Sequence, residues 1–544
     1  MAASFQHQGD TPLDLPAALR DPAAYPFPVR SVTVAETHIS WIFLAGPFAY
    51  KVKKPVDYGF LDYSTLERRK HFCEEEVRLN RRLAPDVYLG VAPITVWGGA
   101  TRVEGAGTIL DYAVKMRRLP DDRLFDHLLE RERVGEFDVE RLARHIADFH
   151  ARAESGAELE RFGSRDVIAL NWRENFDQTR SLVGKTITLS QFRQCYGFVA
   201  SQLHALKGVF DARRREGRIR DCHGDLRCDS VCMDETGSFQ VFDCIEFNER
   251  FRYCDVASEV AFMAMDLDWR GRPDLAWTWV DAYVEASGDA DLRSLLPFYK
   301  CYRAFVRGKV ESFESTSIAA VEDAFRHRRA AHEHFDLAET YTYRFTPSLV
   351  LMCGQVGSGK TALARGLGSL LGFAVVSTDR VRKELISVPS RQRMAGPVDQ
   401  GLYSPEMRQA TYEECFERAA RLLRSGQSVV LDGSFGSERD RQAAANIARE
   451  AGAAIVLVHL RAPESVIYER LAARAATRES ESDAGPEVFE AVRTRFESPQ
   501  GWAPSELLEL DASGGLMRTA DLAIAGLRQR LHASHDGGAR RRIA

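Results

Sequence analysis

An apolar run, Leu349-Val350-Leu351-Met352, leads into Gly354-Gln355-Val356-Gly357-Ser358-Gly359-Lys360-Thr361, and a helical pattern follows. The octapeptide fits GxxxxGK[ST], and its context, a strand before and a helix after, is the one a phosphate-binding loop requires. Glycines let such a loop curl until its backbone N–H groups face phosphate oxygens. Lys360 then offers a positive charge to the β and γ phosphates, Thr361 a hydroxyl to Mg²⁺, and the helix start its positive dipole end. The stretch predicts a nucleotide-binding α/β domain that holds ATP, or GTP, with Mg²⁺. It assigns Gly354, Gln355, Val356, Gly357, Ser358, Gly359, Lys360 and Thr361 to the nucleotide, and Thr361 also to the metal.

Further strand-like runs follow at Ala374-Val375-Val376, Val429-Val430-Leu431 and Ile455-Val456-Leu457-Val458, alternating with helical patterns. That alternation is the mark of a parallel sheet covered by helices on both faces. Asp379 and Asp432 lie just past the C-terminal ends of two of these strands, where open α/β sheets bind ligands. Phosphoryl transfer needs one carboxylate to order Mg²⁺ and another to take the acceptor's proton. Asp432 is the candidate for the metal and Asp379 for the catalytic base, with a helix N-cap as the structural alternative for either. Arg470, Arg474 and Arg478 recur every four residues on one helical face. Cations over the γ phosphate, usually on a mobile lid, would account for such a row, with Arg474 and Arg478 as the catalytic contacts.

This segment resembles the small P-loop kinases grouped with polynucleotide kinase, gluconate kinase and zeta toxin. The resemblance is carried by Gly354–Thr361, Ser377-Thr378-Asp379-Arg380-Val381-Arg382, Leu431-Asp432-Gly433 and the arginine row ending in Ser482-Asp483. It implies that Asp379 is a base or substrate-binding carboxylate and that Arg382 helps bind the acceptor.

The first half has its own pattern. His38–Leu44 and Phe48–Lys53 are β-rich runs around the turn Gly46-Pro47, so a hairpin is expected. Thr65–Leu83 is helical and Tyr112–Met116 is a strand. His223-Gly224-Asp225-Leu226 and Val241-Phe242-Asp243 flank two short strands around Asp234-Glu235-Thr236-Gly237. This layout resembles the catalytic loop and metal-binding strand of the α+β protein-kinase and aminoglycoside-phosphotransferase fold. The resemblance implies that Asp225 accepts the acceptor's proton and Asp243 holds Mg²⁺. It also implies that Lys53, with Lys51 close behind, reaches the α and β phosphates of ATP. Glu76, among Glu74, Glu75 and Glu76, is the preferred partner of that lysine, and Leu119-Pro120 matches the adenine-binding hinge. The pattern departs at Ser230, where the fold normally has an asparagine that binds a second metal, and Ala45-Gly46-Pro47 is no glycine-rich loop.

With Lys53-Lys54-Pro55-Val56-Asp57, Leu61-Asp62-Tyr63-Ser64-Thr65, Phe72-Cys73-Glu74-Glu75-Glu76, Phe242–Asn248 and Arg252–Ala257 added, residues 30–530 resemble the two-domain bacterial proteins called bifunctional aminoglycoside phosphotransferase/ATP-binding proteins. The resemblance implies that Asp255 is structural and braces the catalytic loop. The expected layout is an irregular lead-in over 1–30, a kinase-like domain over 31–340, a P-loop domain over 345–530 and a flexible tail over 531–544.

The remaining composition fits this picture. At 45% hydrophobic, 28% charged and a net charge of −5, the 544 residues are those of a globular protein without a basic surface for nucleic acid. No apolar stretch approaches the roughly 18 residues of a membrane span. The ten cysteines show no metal-ligand spacing, which suits a reducing cytoplasm. The reading is a cytoplasmic ATP- and Mg²⁺-dependent phosphotransferase acting on a small-molecule hydroxyl acceptor, with neither nucleic acid nor membrane as partner. Its alternatives are a non-catalytic nucleotide-responsive switch with a pseudokinase N-domain, and an ATPase with water as acceptor.

Overall fold

The turn at Gly46-Pro47 forms as its residues dictate: Gly46 takes φ +56° between the strands Ser40–Ala45 and Phe48–Lys53, a left-handed conformation that costs a side chain but not glycine. The computed structural model describes residues 14–59, 61–317, 320–388, 401–476 and 485–531. The chain packs as two units, Met1–Arg173 with Leu203–Met263 and Ala286–Gly288, and Glu174–Gln202 with Ala264–Glu285 and Asp289–Ala544.

In the first unit, β1 (Val32–Glu36), β2 (Ser40–Ala45), β3 (Phe48–Lys53), β4 (Tyr88–Trp97), β5 (Ala100–Val103) and β6 (Thr108–Arg117) form one antiparallel sheet. Its order is β1-β2-β3-β6-β4-β5. Side chains alternate across a strand. Tyr50 and Val52 of β3 therefore enter a core with Phe43, Ile94 and Ala113, while Lys51 and Lys53 both reach Glu76 on the helix Leu66–Asn80. That helix starts at Thr65, whose hydroxyl accepts from the Arg68 amide at 3.3 Å. Its buried face mixes Cys73, Val77 and Leu79 with Arg69, Glu76 and Asn80.

Residues 1–13 of the expected irregular lead-in lie outside the described residues, and residues 14–30 contain short helical turns. Pro16 and Pro22 do not break structure but stand in the first turns of two short helical segments, Leu15–Ala18 and Pro22–Ala24, where an N–H has no intrahelical partner to lose. Leu15, Leu19, Ala24 and Tyr25 are buried in the β2–β3 core.

Later in the first unit, β7 (Ile219–Asp221) pairs with β10 (Tyr253–Asp255), and β8 (Val231–Met233) with β9 (Phe239–Val241). The turn between β8 and β9 is held by Asp234, whose carboxylate accepts from the amides of Thr236 and Ser238 at 2.8 and 2.9 Å.

In the second unit, β11 (Ser348–Cys353), β12 (Ala374–Ser377), β13 (Val429–Asp432), β14 (Ala454–Arg461) and β15 (Leu507–Asp511) form a fully parallel sheet in the order β12-β13-β11-β14-β15. β11 is central and buried along its whole length, as an apolar strand covered on both faces must be. The helical residues 174–202 and 264–285, which the sequence assigns to the first domain, pack in this unit. A buried polar network ties the helix Leu292–Ser317 to the helix that follows the loop. The Lys300 ammonium pairs with Asp268 and donates to the Ser369 carbonyl and hydroxyl at 2.8 and 3.0 Å. The Asp268 carboxylate also accepts from Ser369 and Tyr341, at 2.9 and 2.6 Å. Burial pulls the Lys300 pKa down against the attraction of Asp268. No described helix is long and apolar enough to cross a membrane. The tail from residue 532 lies outside the described residues.

Candidate functional site

The loop after β11 can only be built with glycine. A side chain at Gly354 would stand 2.4 Å from the Leu460 carbonyl oxygen, and one at Gly357, where φ is +80°, would stand 2.9 Å from Ile467. The helix Lys360–Leu371 starts at once. Lys360 folds back and donates to the Gln355 carbonyl at 2.7 Å. Thr361 donates its hydroxyl to Asp432 at 3.2 Å. The Ser358 hydroxyl is buried in the loop and has no hydrogen-bond partner among the described residues. These features fit a magnesium nucleotide: a cradle free of Cβ atoms, an orphaned donor, and a hydroxyl beside a carboxylate.

Register explains how the two aspartates meet. Ser377 of β12 lies beside Asp432 of β13, so Asp379, two residues beyond Ser377, opens the helix Thr378–Leu385 next to Asp432. Arg382 donates to Asp379 at 2.6 Å, and its guanidinium lies 5.1 Å from the Tyr403 ring centre. Burial, together with the nearby charge of Asp379, pushes the Asp432 carboxyl up to about 6, against the pull of Lys360, Thr361 and Arg365.

A raised carboxyl pKa means that ionising Asp432 opposes folding of the nucleotide-free protein. Stability associated with the neutral form is present below the unfolded value of 3.8 and is lost as pH rises through about 6. Asp432→Asn is therefore expected to raise the apo melting temperature at pH 8, by roughly 2–3 kcal/mol of stability, and to leave it unchanged at pH 3.5. Thermal unfolding across pH checks this. A variant less stable than wild type at pH 8 would refute it.

The arginine row divides. Arg470 donates to the carbonyls of Ser358 and Ala512 at 3.1 and 2.6 Å, so it fastens the loop backbone instead of reaching outward as part of a lid. The helix Glu464–Ala476 includes Arg474, but the Arg474 side chain, Arg478, Ser482 and Asp483 lie outside the described residues.

The first unit gathers a second set of charged groups. Lys51 bridges Glu76 at 2.9 Å and Asp243 at 2.7 Å. Lys53 has no exposed side-chain surface and is taken up by Glu76 at 2.6 Å, by Glu246 and by Tyr63. The expected pair of Lys53 with Glu76 is present; Lys51 also meets Glu76 and in addition sits at the candidate metal carboxylate, Asp243. Burial works against the Lys51 charge, but Asp243, Glu76 and Glu246 prevail and raise its pKa. Lys51 in turn holds the Asp243 carboxyl below its usual range. Asp243 has φ +65°, a conformation that costs a non-glycine residue about 1 kcal/mol or more and clusters at functional sites. Its amide donates to the Tyr88 hydroxyl at 3.1 Å.

Asp225 accepts from Arg227 at 3.3 and 3.2 Å, and Arg227 also reaches Asp229 at 2.6 Å. The Ser230 hydroxyl donates to the Arg227 carbonyl at 2.8 Å and accepts from the Arg227 amide at 3.1 Å. It therefore holds the loop shut on itself. The brace of that loop is Glu259, which the sequence reading missed. It accepts from the His223 amide at 3.0 and 2.9 Å, the Gly224 amide at 2.6 Å and the His150 ring at 3.0 Å. Asp255, given the bracing role by resemblance, instead pairs bidentately with Arg213 at 2.6 and 2.7 Å.

A family profile described as an AAA domain matches residues 349–499. Among solved structures, a gluconokinase from Sinorhizobium meliloti 1021 is 22% identical, with 34% of this chain and 94% of that chain covered, at a TM-score of 0.25. The APS kinase of Mycobacterium tuberculosis, in complex with AMPPNP and APS, is 21% identical, with 34% and 99% covered, at a TM-score of 0.24. The uncharacterized protein Rv2004c of Mycobacterium tuberculosis is 35% identical over 466 residues, which is 85% of this chain and 90% of that protein. Mb2027c of Mycobacterium bovis, also uncharacterized, gives the same figures. An alignment of 466 residues extends far beyond 349–499 and takes in residues of both units. The chain carries a P-loop domain that matches the AAA profile over residues 349–499, and it belongs to the same family as these two mycobacterial proteins.

Proposed function

We propose that the protein is an ATP-dependent phosphotransferase, which moves the γ-phosphoryl group from its P-loop site to a hydroxyl of a small-molecule acceptor. The observation that carries this reading is the 3.2 Å hydrogen bond from Thr361 to Asp432, with Asp379 opening the neighbouring helix. Lys360 and the loop amides hold the β and γ phosphates. When bound, Mg²⁺ neutralises charge on those phosphates. Asp379, oriented by Arg382, takes the acceptor's proton as the new O–P bond forms and the bond to the β–γ bridging oxygen breaks. Such a protein belongs in the cytoplasm, where ATP is plentiful and its free thiols stay reduced, and it needs neither nucleic acid nor membrane.

A second reading rests on Lys51, which lies between Glu76 and Asp243. It makes the first unit another phosphotransferase, of the protein-kinase and aminoglycoside-phosphotransferase type, with Asp225 as base and Asp243 for Mg²⁺. The engagement of Ser230 with its own loop favours slow turnover there, or a scaffold role. Both readings are tested by ATP consumption with and without sugars, aminoglycosides and nucleosides, in the full chain, Lys360→Ala and Asp225→Ala. Consumption is expected to collapse in Lys360→Ala and to survive in Asp225→Ala. If neither variant changes it, the protein is no phosphotransferase. If only Asp225→Ala changes it, the active site is the one in the first unit.

A further inference from the structure

On the helix Pro273–Ser287, Trp277 meets both elements that carry the P-loop site and Asp281 meets one of them. Two guanidiniums lie over the Trp277 ring, Arg365 at 5.3 Å and Arg380 at 5.9 Å from its centre. Arg365 is one turn beyond Thr361 on the same helix, and Arg380 is the residue after Asp379. One turn beyond Trp277, Asp281 accepts from Arg380 at 2.6 Å and from Arg293 at 2.5 Å. Its side chain is only 18% exposed. Burial of Asp281 raises its pKa, yet Arg380 and Arg293 outweigh that and keep it low. The packing is close: a side chain at Gly368 would stand 2.9 Å from the Trp277 ring.

An exposed ion pair on a helix surface contributes about 0–1 kcal/mol and fixes little. Here a partly buried carboxylate and an indole ring together restrain one arginine, and that arginine is bonded through the backbone to the candidate base. Arg380 cannot stay on Asp281 and Trp277 while the first turn of Thr378–Leu385 shifts freely. A displacement of about 1 Å at a reacting group costs on the order of 100-fold in rate.

We infer that Trp277 and Asp281 are positioning residues for the P-loop reaction, which hold Asp379 at its place through Arg380. The inference rests on the P-loop reading above. Its test uses the full chain with MgATP as substrate and water as basal acceptor. Turnover and MgATP affinity, by calorimetry, are measured for Asp281→Asn, Trp277→Ala and Trp277→Phe. Asp281→Asn and Trp277→Ala are expected to lower kcat about 10- to 100-fold while the MgATP Kd stays within about threefold. Trp277→Phe, which keeps a ring beneath the two arginines, is expected to restore most of kcat. Lys360→Ala separates the failures. If it abolishes turnover while Asp281→Asn and Trp277→Ala keep the wild-type kcat, the positioning role is wrong. If it leaves turnover intact, the P-loop reading has failed first. A Trp277→Ala or Asp281→Asn variant that loses kcat and MgATP affinity in equal measure would make both residues merely structural and also overturn the inference.

Discussion

Lys360→Ala is expected to reduce ATP turnover by about 10²- to 10³-fold, the usual loss when one preorganised charge is removed from a developing transition state. The geometry says why the loss falls on turnover more than on folding. The Lys360 ammonium donates to the Gln355 carbonyl within its own loop, so it is held near the phosphate cradle and not in an apolar core. The cradle itself is built by backbone: Gly354 approaches Leu460, and Arg470 fastens the Ser358 carbonyl. Neither contact involves Lys360. The melting temperature is therefore expected to change by no more than a few degrees while steady-state turnover collapses. A variant with wild-type turnover would remove the P-loop from the mechanism.

The second large effect concerns Glu259. This side chain is wholly buried and receives the His223 and Gly224 amides and the His150 ring. Glu259→Ala would leave two backbone donors and an imidazole in a dry interior. Removing one partner of such a set costs about 3–5 kcal/mol, or a fall in melting temperature of roughly 6–20 °C at this domain size. Glu259→Gln keeps one acceptor oxygen and should lose about half as much. The proton linkage gives an independent readout. Although burial raises it, bonding to His150, His223 and Gly224 brings the Glu259 carboxyl down from 4.5 to about 2. Its contribution is therefore present above pH 4.5 and disappears as pH falls through about 2. The stability gap between wild type and Glu259→Ala, followed by denaturant unfolding, should shrink across that window. A gap that stays constant from pH 5 to pH 2 would mean that Glu259 acts only through packing.

What could be read from the sequence was local. Gly354–Thr361 and the strands at 349–352, 374–376, 429–431 and 455–458 each carry their signal within a few residues; the four runs lie inside observed strands, and the loop leads into the helix Lys360–Leu371. β15 went unread because Leu507–Asp511 is a short edge strand whose alternation is broken by Leu507-Leu508. The short helical turns within residues 14–30 were missed because proline is ambiguous: it marks irregular chain and helix starts alike, and only the burial of Leu15 and Tyr25 decides between them. Glu259 gave no signal, since one carboxylate among the three of the helix Val256–Trp269 acquires its role from amides some 35 residues upstream. The Lys51 and Lys53 problem was of the same kind. Spacing puts both on one face, and only Glu246, 193 residues away, and Tyr63, 10 residues away, distinguish the surroundings of Lys53 from those of Lys51.

The network of Lys300, Asp268, Tyr341 and Ser369 has a consequence for how this protein can be divided. A gene fragment beginning at the change of texture near residue 345 would encode all the residues of the parallel sheet, yet omit Asp268 and Lys300, which satisfy Ser369, and Tyr341, which bonds Asp268. It would also leave Gly368 facing the space that Trp277 fills. The nucleotide-binding sheet is therefore not a portable cassette joined to a carrier. Its boundary as a folding unit lies well upstream of its boundary as a motif, and any transplant of the motif must bring the upstream helices with it.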